Sequence, residues 1–520
     1  MLKKGKRDRR PVEVLPGCEN ETAVLVELEI LAHEIPVFVN AGQLVIALEA
    51  DTICEDDGEY LPVRNIRLLP ITVQRMLHIM SEACVFSKWG GRQKQFIPIS
   101  APENIARLIL ARVGHWPFPE VTNVIGAQTL DKDGNIVNRF GVHKPSRLLL
   151  ADLPTLPSVR IEPDKSAAID AIDVLNDLLA EYEFVGEASK SVALSMLITP
   201  LCRGIIPTAP MHAVTAPTPG SGKSYLSTLA SLITTGRPCP VIPPAERGEE
   251  FEKRLTAVMM AGMPIISLDN VVSRINSALL CQALTEPMVD VRPLGTSNLM
   301  RIEQRVTWFA NGNNLMIIDD LTRRTLLATV DRNEERPEEH EYKQRPDRLI
   351  LENRGKYIHA ALTVVGSYIK AKRPSRLPPL ASYEHWSRTV REALVWLGYA
   401  DPVETMGKLR ANDEERNKAE AIFGNWPEDK LIFVEDSEEV KNRKRMTAAE
   451  LIAANGPVVD GGYPWKEALK LVAQNGKGDI DARQFGYWLR KWKGRVVAGR
   501  KLIGEIDKSR NLITWGCVLF

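Results

Sequence analysis

The sequence predicts an α/β chain: a central parallel-sheet layer, an α+β region before it and a small basic module after it. Three observations carry that prediction. Short apolar runs alternate with helical segments from about Ile205 to Val330, the pattern of a sheet with helices laid across it. Inside that region a glycine-bearing loop, PTPGSGKS, joins a strand to a helix. Near the C-terminus, cations and aromatic residues interleave along a single helical stretch.

The bulk numbers agree. A chain of 520 residues exceeds a single hydrophobic core, so several domains are expected. Net charge is +1, which steers the whole molecule towards neither nucleic acid nor membrane and leaves polyanion binding to local patches. Seven scattered cysteines, with no CxxC and no histidine at zinc-ligand spacing, predict reduced thiols and a cytoplasmic protein. No apolar run approaches the roughly 18–20 residues of a membrane span. The basic start, MLKKGKRDRR, lacks the apolar segment of a secretory signal.

In chain order, residues 1–155 read as an α+β domain with a basic tail at 1–10. VFVNAGQLVIAL suggests two strands around an Asn-Ala-Gly turn, and DKDGNIVNRFGV a second pair around Asp-Gly. Between them VQRMLHIMSEACVF and ENIARLILARV read as helices. Residues 156–205 form a helical segment, with Ile169, Ile172, Leu175, Leu178 and Leu179 at helical spacing. The sheet core spans 206–335 and a helical subdomain 336–425. The charged stretch 426–445 reads as a linker, and 446–520 as a winged-helix-like basic domain.

The strongest chemistry lies at His212–Ala216 and the loop after it. Thr218, Pro219, Gly220, Ser221, Gly222, Lys223 and Ser224 make a phosphate-binding loop between a strand and the helix YLSTLASLITTG. Loop amides and the helix N-terminus point at phosphate oxygens, Lys223 counters their charge, and Ser224 is placed to ligate Mg²⁺. Pro217 stands where the first glycine of such loops usually falls.

Three further motifs follow in order. MPIISLDN puts Asp269 at the end of a buried strand, where an acid can hold a Mg²⁺ shell; a helix-capping Asp is the plain alternative. Residue 270 is Asn, so another carboxylate must orient water, and Glu250 is a weak candidate beside a simple solvated role. RVTWFANGNN ends a strand in Asn311, Asn313 and Asn314, which suit γ-phosphate sensing or a turn. DDLTRR places Arg323 and Arg324 at an expected helix start, as a transition-state arginine or a surface ion pair.

Two stretches suit nucleic acid. MVDVRPLGTSNLMRIEQRV predicts a hairpin bearing Arg292 and Arg301, which serves phosphates or is merely structural. The tail helix DARQFGYWLRKW carries Arg490 and Lys491, followed by Lys493 and Arg495, among Tyr487, Trp488 and Trp492. Two strands after it complete the winged-helix pattern, which lays a basic helix against DNA.

The ordered set PGSGKS, IISLDN, VRPLGTSN, FANGNN, DDLTRR and HWSRTVREALVWLGYADP resembles the helicase portion of phage and mobile-element primase–helicases. These look like superfamily 3 within the AAA+ class. The resemblance is most specific from about Met211 to Pro402. It implies a P-loop AAA+ ATPase core, ATP and Mg²⁺ between subunits of a ring, hexameric by analogy, and single-stranded or forked DNA in its pore. Lys223 and Ser224 then match the Walker A pair, Asp269 the Walker B acid, Asn313 the sensor, and Arg323 or Arg324 the arginine finger. No priming is expected, because no acidic metal cluster precedes the core, and a separate primase becomes a candidate partner. The implied function is ATP-driven DNA translocation or unwinding in replication of a phage or mobile element. Alternatives are an ATP-switched initiator or adaptor with little turnover, and a defence-system ATPase on the same motor.

Overall fold

The computed structural model describes residues 8–56, 59–158, 162, 164–243, 248–269, 277–293, 299–313, 315, 317, 319–334, 336–340, 342–411, 414–454, 464–476, 478–507 and 510–519. Asn270, Asn314, the hairpin tip 294–298 and most of the basic tail lie outside them. The chain divides into two compact units: Met1–Met316 with Arg323–Met406, and Ile317–Thr322 with Gly407–Phe520. Among the described residues, no helix is long and apolar enough to cross a membrane.

In the first unit, strands Val37–Asn40 and Gln43–Asp56 pair antiparallel across Ala41 and Gly42, both left-handed, as the Asn-Ala-Gly turn predicts. Thr129–Leu130 and Ile136–Val137 pair across the Asp-Gly turn, where the Asp131 carboxylate accepts the Asp133 and Asn135 amides at 2.9 and 2.8 Å. One expected helix is cut short. It spans Val73–Ala83, and Cys84–Gly90 is a strand paired parallel with Arg10–Val14. Burial of Cys84 and Phe86 with Val85 and Trp89 exposed is a period-2 pattern, which overrides helix continuation.

Helix Lys165–Asp177 buries Ile172 and Leu175 as the spacing requires, but Ile169 is 40% exposed. Helix Glu187–Ile198 is buried on nearly every side, so periodicity could not mark a face on it. Helix Arg354–Lys370 packs against Lys165–Asp177 in the same core.

The core sheet has five parallel strands, numbered here β1 (Met211–Ala216), β2 (Val241–Ile242), β3 (Ile265–Leu268), β4 (Thr307–Asn313) and β5 (Thr325–Thr329). Their order across the sheet is β2-β3-β4-β1-β5. From β1 the chain crosses to the far edge, works back to β4 and then passes to the other side of β1. Strand order therefore reverses at β1, which opens a crevice beyond its carboxyl end.

The second unit differs from expectation at its start. The stretch 426–445, expected as a linker, holds strand Leu431–Phe433, paired parallel with Cys517–Leu519, and helix Glu438–Lys444, capped by Ser437. Leu431 and Ile432 are buried, and that apolar pair outweighs the charges around it. A sheet of Leu431–Phe433, Leu512–Leu519, Arg500–Asp507 and Val496–Val497 backs helix Ala482–Trp492. Trp426, Trp465, Phe485, Trp488 and Trp515 fill the core of this unit.

Candidate functional site

Strand β1 is apolar and almost wholly buried, so the chain leaves the sheet at Ala216 with little freedom. The loop then turns through Gly220 (φ 75°) and Gly222 (φ 79°), left-handed positions that disfavour side chains. Helix α1, Lys223–Thr235, begins at once, so its unpaired first-turn amides and positive dipole end face the crevice. The loop braces itself: Ser221 Oγ donates to the Thr218 carbonyl at 2.8 Å, and Lys223 Nζ donates to the same oxygen at 3.0 Å. Burial pushes the Lys223 ammonium below its usual range, and the Asp269 carboxylate opposes that shift.

Asp269 follows β3, and Ser224 Oγ donates to its Oδ1 at 3.0 Å. An octahedral Mg²⁺ holds its oxygens at ~2.0–2.1 Å, which puts neighbouring ligands about 3 Å apart. The 3.0 Å between these two hydrogen-bonded oxygens is compatible with that spacing. Among the described residues no group of three or more His, Cys, Asp or Glu forms a ready-made metal cluster. The pair resembles Mg²⁺ sites that rely on phosphate and water for their remaining ligands.

Strand β4 runs between β3 and β1, with Ala310 opposite Leu268 and Asn313 opposite Ala216. Asn313 thus stands at the root of the loop, and its Oδ1 is buried with no hydrogen-bond partner among the described residues. Asn311 has another task. Its Nδ2 donates to Ser227 Oγ at 3.1 Å and Ser267 Oγ at 2.8 Å, tying β4 to α1 and β3.

The remaining sequence candidates fare unequally. Glu250 is exposed on helix Gly248–Met260, 3.9 Å from Lys253 and 3.5 Å from Arg254, the solvated role that was its alternative. Arg323 and Arg324 do not begin a helix: Asp319–Arg323 is a single 3₁₀ turn, and β5 follows. TLLAT is buried and β-prone, so pairing with β1 wins. Arg323 is exposed, whereas Arg324 is buried, its Nη1 donating to the Cys281 carbonyl and to Thr285 Oγ1.

Sequence reading missed a cleft of about 270 Å³ beside the loop, lined by Leu178, Tyr182, Gly222, Tyr225, Tyr342 and Pro346 among others. Tyr182 OH donates to the Gly222 carbonyl at 3.2 Å, and Tyr225 OH donates to Asp347 Oδ1 at 2.7 Å. Burial raises both phenols, which keeps them protonated donors. The Glu181 carboxylate accepts the Lys343 and Gln344 amides at 3.0 and 2.8 Å, so the segment at 342–346 is fastened over the cleft. These residues are scattered from Leu178 to Pro346 with no motif spacing, so only the fold gathers them.

Of the expected nucleic-acid contacts, Arg301 lies on a two-stranded ribbon, Met288–Val291 with Met300–Glu303, and Arg292 directly follows its first strand. Both are exposed, but Arg301 is held by Asp290 in a paired bridge of 2.9 and 3.0 Å. In the second unit, helix Ala482–Trp492 buries Phe485, Trp488, Leu489 and Trp492 and presents Arg483, Tyr487, Arg490 and Lys491 to solvent. Tyr487 is 61% exposed with the Arg490 guanidinium 5.1 Å over its ring. Lys493 and Arg495 are exposed just beyond, Arg495 over Trp492 at 4.8 Å.

No protein-family model matches the chain. No curated protein matches it either. Among solved structures, the apo A form of the NrS-1 C-terminal region aligns with a TM-score of 0.35 at 11% identity, over 82% of this chain and 91% of that one. A shorter form of that region aligns at 0.35 and 13% identity, over 77% and 78%. The JCV helicase bound to a thiazolopyridine acetamide aligns at 0.21 and 12% identity, over 45% and 67%. Likenesses this distant carry no argument about function, which rests on the chain's own residues.

Proposed function

We propose that the chain is an ATP-dependent DNA translocase or helicase, with a P-loop AAA+ core of superfamily 3 type. The carrying observation is the crevice beyond β1, where Lys223 and Ser224 at a helix start meet Asp269 after β3 and Asn313 at the end of β4. ATP would lay its outer phosphates on the loop amides, with Lys223 leaving the Thr218 carbonyl to meet them. Ser224 and Asp269 would hold Mg²⁺, which spreads the phosphate charge. The buried, unpartnered Asn313 oxygen suits a water or phosphate hydroxyl at the γ-position. The apolar cleft at Tyr182 and Tyr225 suits the base.

Ring action is what the resemblance to superfamily 3 helicases implies. Arg323, being exposed, is the better placed of the two arginines to reach a neighbouring subunit's nucleotide and complete its charge balance. Arg292, just past the first strand of the ribbon, and Arg301 on the second would face DNA in the pore. The tail unit, read as a winged helix, would add phosphate contacts through Arg490, Lys491, Lys493 and Arg495, with Tyr487 available for stacking.

A second reading is favoured by one residue. Asn270 stands where a water-activating carboxylate often follows the metal acid, which suits an ATP-switched initiator with slow turnover. Phosphate release measured with and without single-stranded DNA separates the two. Turnover that DNA raises, and that Lys223→Ala abolishes, supports the motor. Nucleotide-dependent assembly on DNA with negligible phosphate release selects the switch, and no triphosphate binding at all rejects both.

A further inference from the structure

Helix Arg354–Lys370 ends in a turn that long side chains rarely adopt. Lys372 and Arg373 are both left-handed, at φ 64° and 52°. Their amides bond back to the carbonyls of Ile369 and Tyr368. Glycine is the usual residue where a helix stops this way, so two consecutive cations here are held against local preference. The next helix, Glu384–Trp386, widens at once into a π turn, Ser387–Arg391, before resuming as Glu392–Trp396. Such turns are rare and recur at functional sites.

Both irregularities border one cleft of about 350 Å³, lined by Arg373, Glu384, His385, Arg388 and Thr389. Among the described residues, no side-chain hydrogen bond or ion pair engages Arg373, His385 or Arg388. Glu384 also lines the cleft; its Oε1 accepts the Ser382 amide at 3.1 Å, and its single negative charge stands against two guanidinium groups. Arg391, on the same π turn, shows the contrast. It is buried and spent on Asp401, the Pro378 carbonyl and Ser387. Cations that the fold does not use thus converge on a concave surface, and Lys372 and Arg376 on the adjoining loop add to the field there.

We propose that this cleft is a second phosphate site, in addition to the P-loop, in which Arg373, Arg388 and His385 grip one oxyanion. Forked guanidinium donors meet phosphate oxygens two at a time, and the imidazole supplies a further donor. Among the described residues that line the cleft, four of the five side chains are charged or hydroxylic and the fifth is the His385 imidazole, a lining that suits a phosphate. The phosphate belongs to a nucleic-acid backbone or is free; only the first source rests on the proposal that the chain works on DNA.

The test reads His385 directly, as its rate of carbethoxylation in the full chain, followed by peptide mapping in phosphate-free buffer. Oligothymidylate and inorganic phosphate are added separately at matched phosphate concentration. At least fivefold protection by the oligonucleotide alone identifies a backbone phosphate. Protection by inorganic phosphate as well identifies a free one, and this result stands even if the DNA reading fails. Protection by neither overturns the site. The Lys223→Ala chain must be protected equally; loss of protection there would mean that the ligand acts through the P-loop and would also overturn it. Arg373→Ala combined with Arg388→Ala should remove the protection and leave DNA-free ATP turnover within twofold. The matching double Lys variant should keep part of the protection, because charge remains while the fork is lost. Unchanged protection in the Ala variant rejects the proposal.

Discussion

Ser224 donates its hydroxyl to Oδ1 of Asp269 at 3.0 Å, joining the first turn of α1 to the end of β3 across 45 residues. The bond satisfies both groups. In the proposed Mg²⁺ complex both oxygens would turn towards one cation without moving apart, the sense in which such a site would be preorganised.

Asp269→Asn keeps an oxygen for the Ser224 hydroxyl but removes the charge that Mg²⁺ needs. ATP turnover should fall about 100-fold or more, the usual scale for losing one electrostatic partner of a transition state. Thermal stability should hardly change. Mg²⁺-dependent ATP binding checks this by titration, and wild-type metal dependence in the variant would remove Asp269 from the site.

Tyr182→Ala opens the cleft beside Gly222 and deletes both the ring and its hydrogen bond to the loop. Stacking on an aromatic contributes about 0.5–1.5 kcal/mol. ATP affinity should therefore weaken by roughly two- to twelvefold. Affinity for inorganic triphosphate, which has no base, should weaken less. Equal losses for both ligands would show that Tyr182 only shapes the loop.

The two adjacent arginines should separate stability from activity. Arg324→Ala removes the hydrogen bonds to the Cys281 carbonyl and Thr285 Oγ1 and empties a buried position, so it should destabilise the fold by about 1.5–3 kcal/mol. Arg323→Ala should leave the melting temperature nearly unchanged and lower turnover only in the assembled state. Paired measurements of melting and of concentration-dependent ATPase decide it. A destabilised Arg323→Ala, or a fully stable Arg324→Ala, contradicts this division.

His212 gives a pH signature. It is wholly buried, contacts Ser195 Oγ at 2.9 Å and packs edge-on against Phe309, and burial pushes its imidazole down to about 3. The unfolded chain binds a proton near pH 6.5, its native form only near 3, so unfolding takes up a proton between these values. The stability due to the neutral ring is complete above about pH 6.5 and declines below it by about 1.4 kcal/mol per pH unit. Denaturant midpoints across pH 4–7 should show this slope, and His212→Gln should flatten it. An identical slope in the variant would assign it to other groups.

Legibility followed from how locally each feature is encoded. The strand–loop–helix unit at Met211–Thr235 was readable because glycine, lysine and serine stand at fixed offsets between one strand and one helix. The turn at Ala41–Gly42 and the sheet strands were readable for the same reason, as local conformational preference and apolar runs. Arg324 was misread for a converse reason. Two adjacent arginines look alike in sequence, and only β5 pairing with β1 decides that one side chain points inward. Leu431 and Ile432 were lost inside a charged stretch because their partners, Cys517 to Leu519, lie more than 80 residues away.

The sequence by itself determined the strand–loop–helix unit, the alternation that makes a parallel sheet and the order of the polar motifs, all of which depend on neighbours in the chain. Only the tertiary structure decided that Asp269 meets Ser224, that the Asn311 amide nitrogen ties β4 to α1 and β3 while the Asn313 Oδ1 has no partner among the described residues, and that Tyr182, Tyr225 and Tyr342 line one cleft. Those outcomes depend on strand order and on which side chains lose contact with water, and such long-range packing leaves no periodic trace in a single chain.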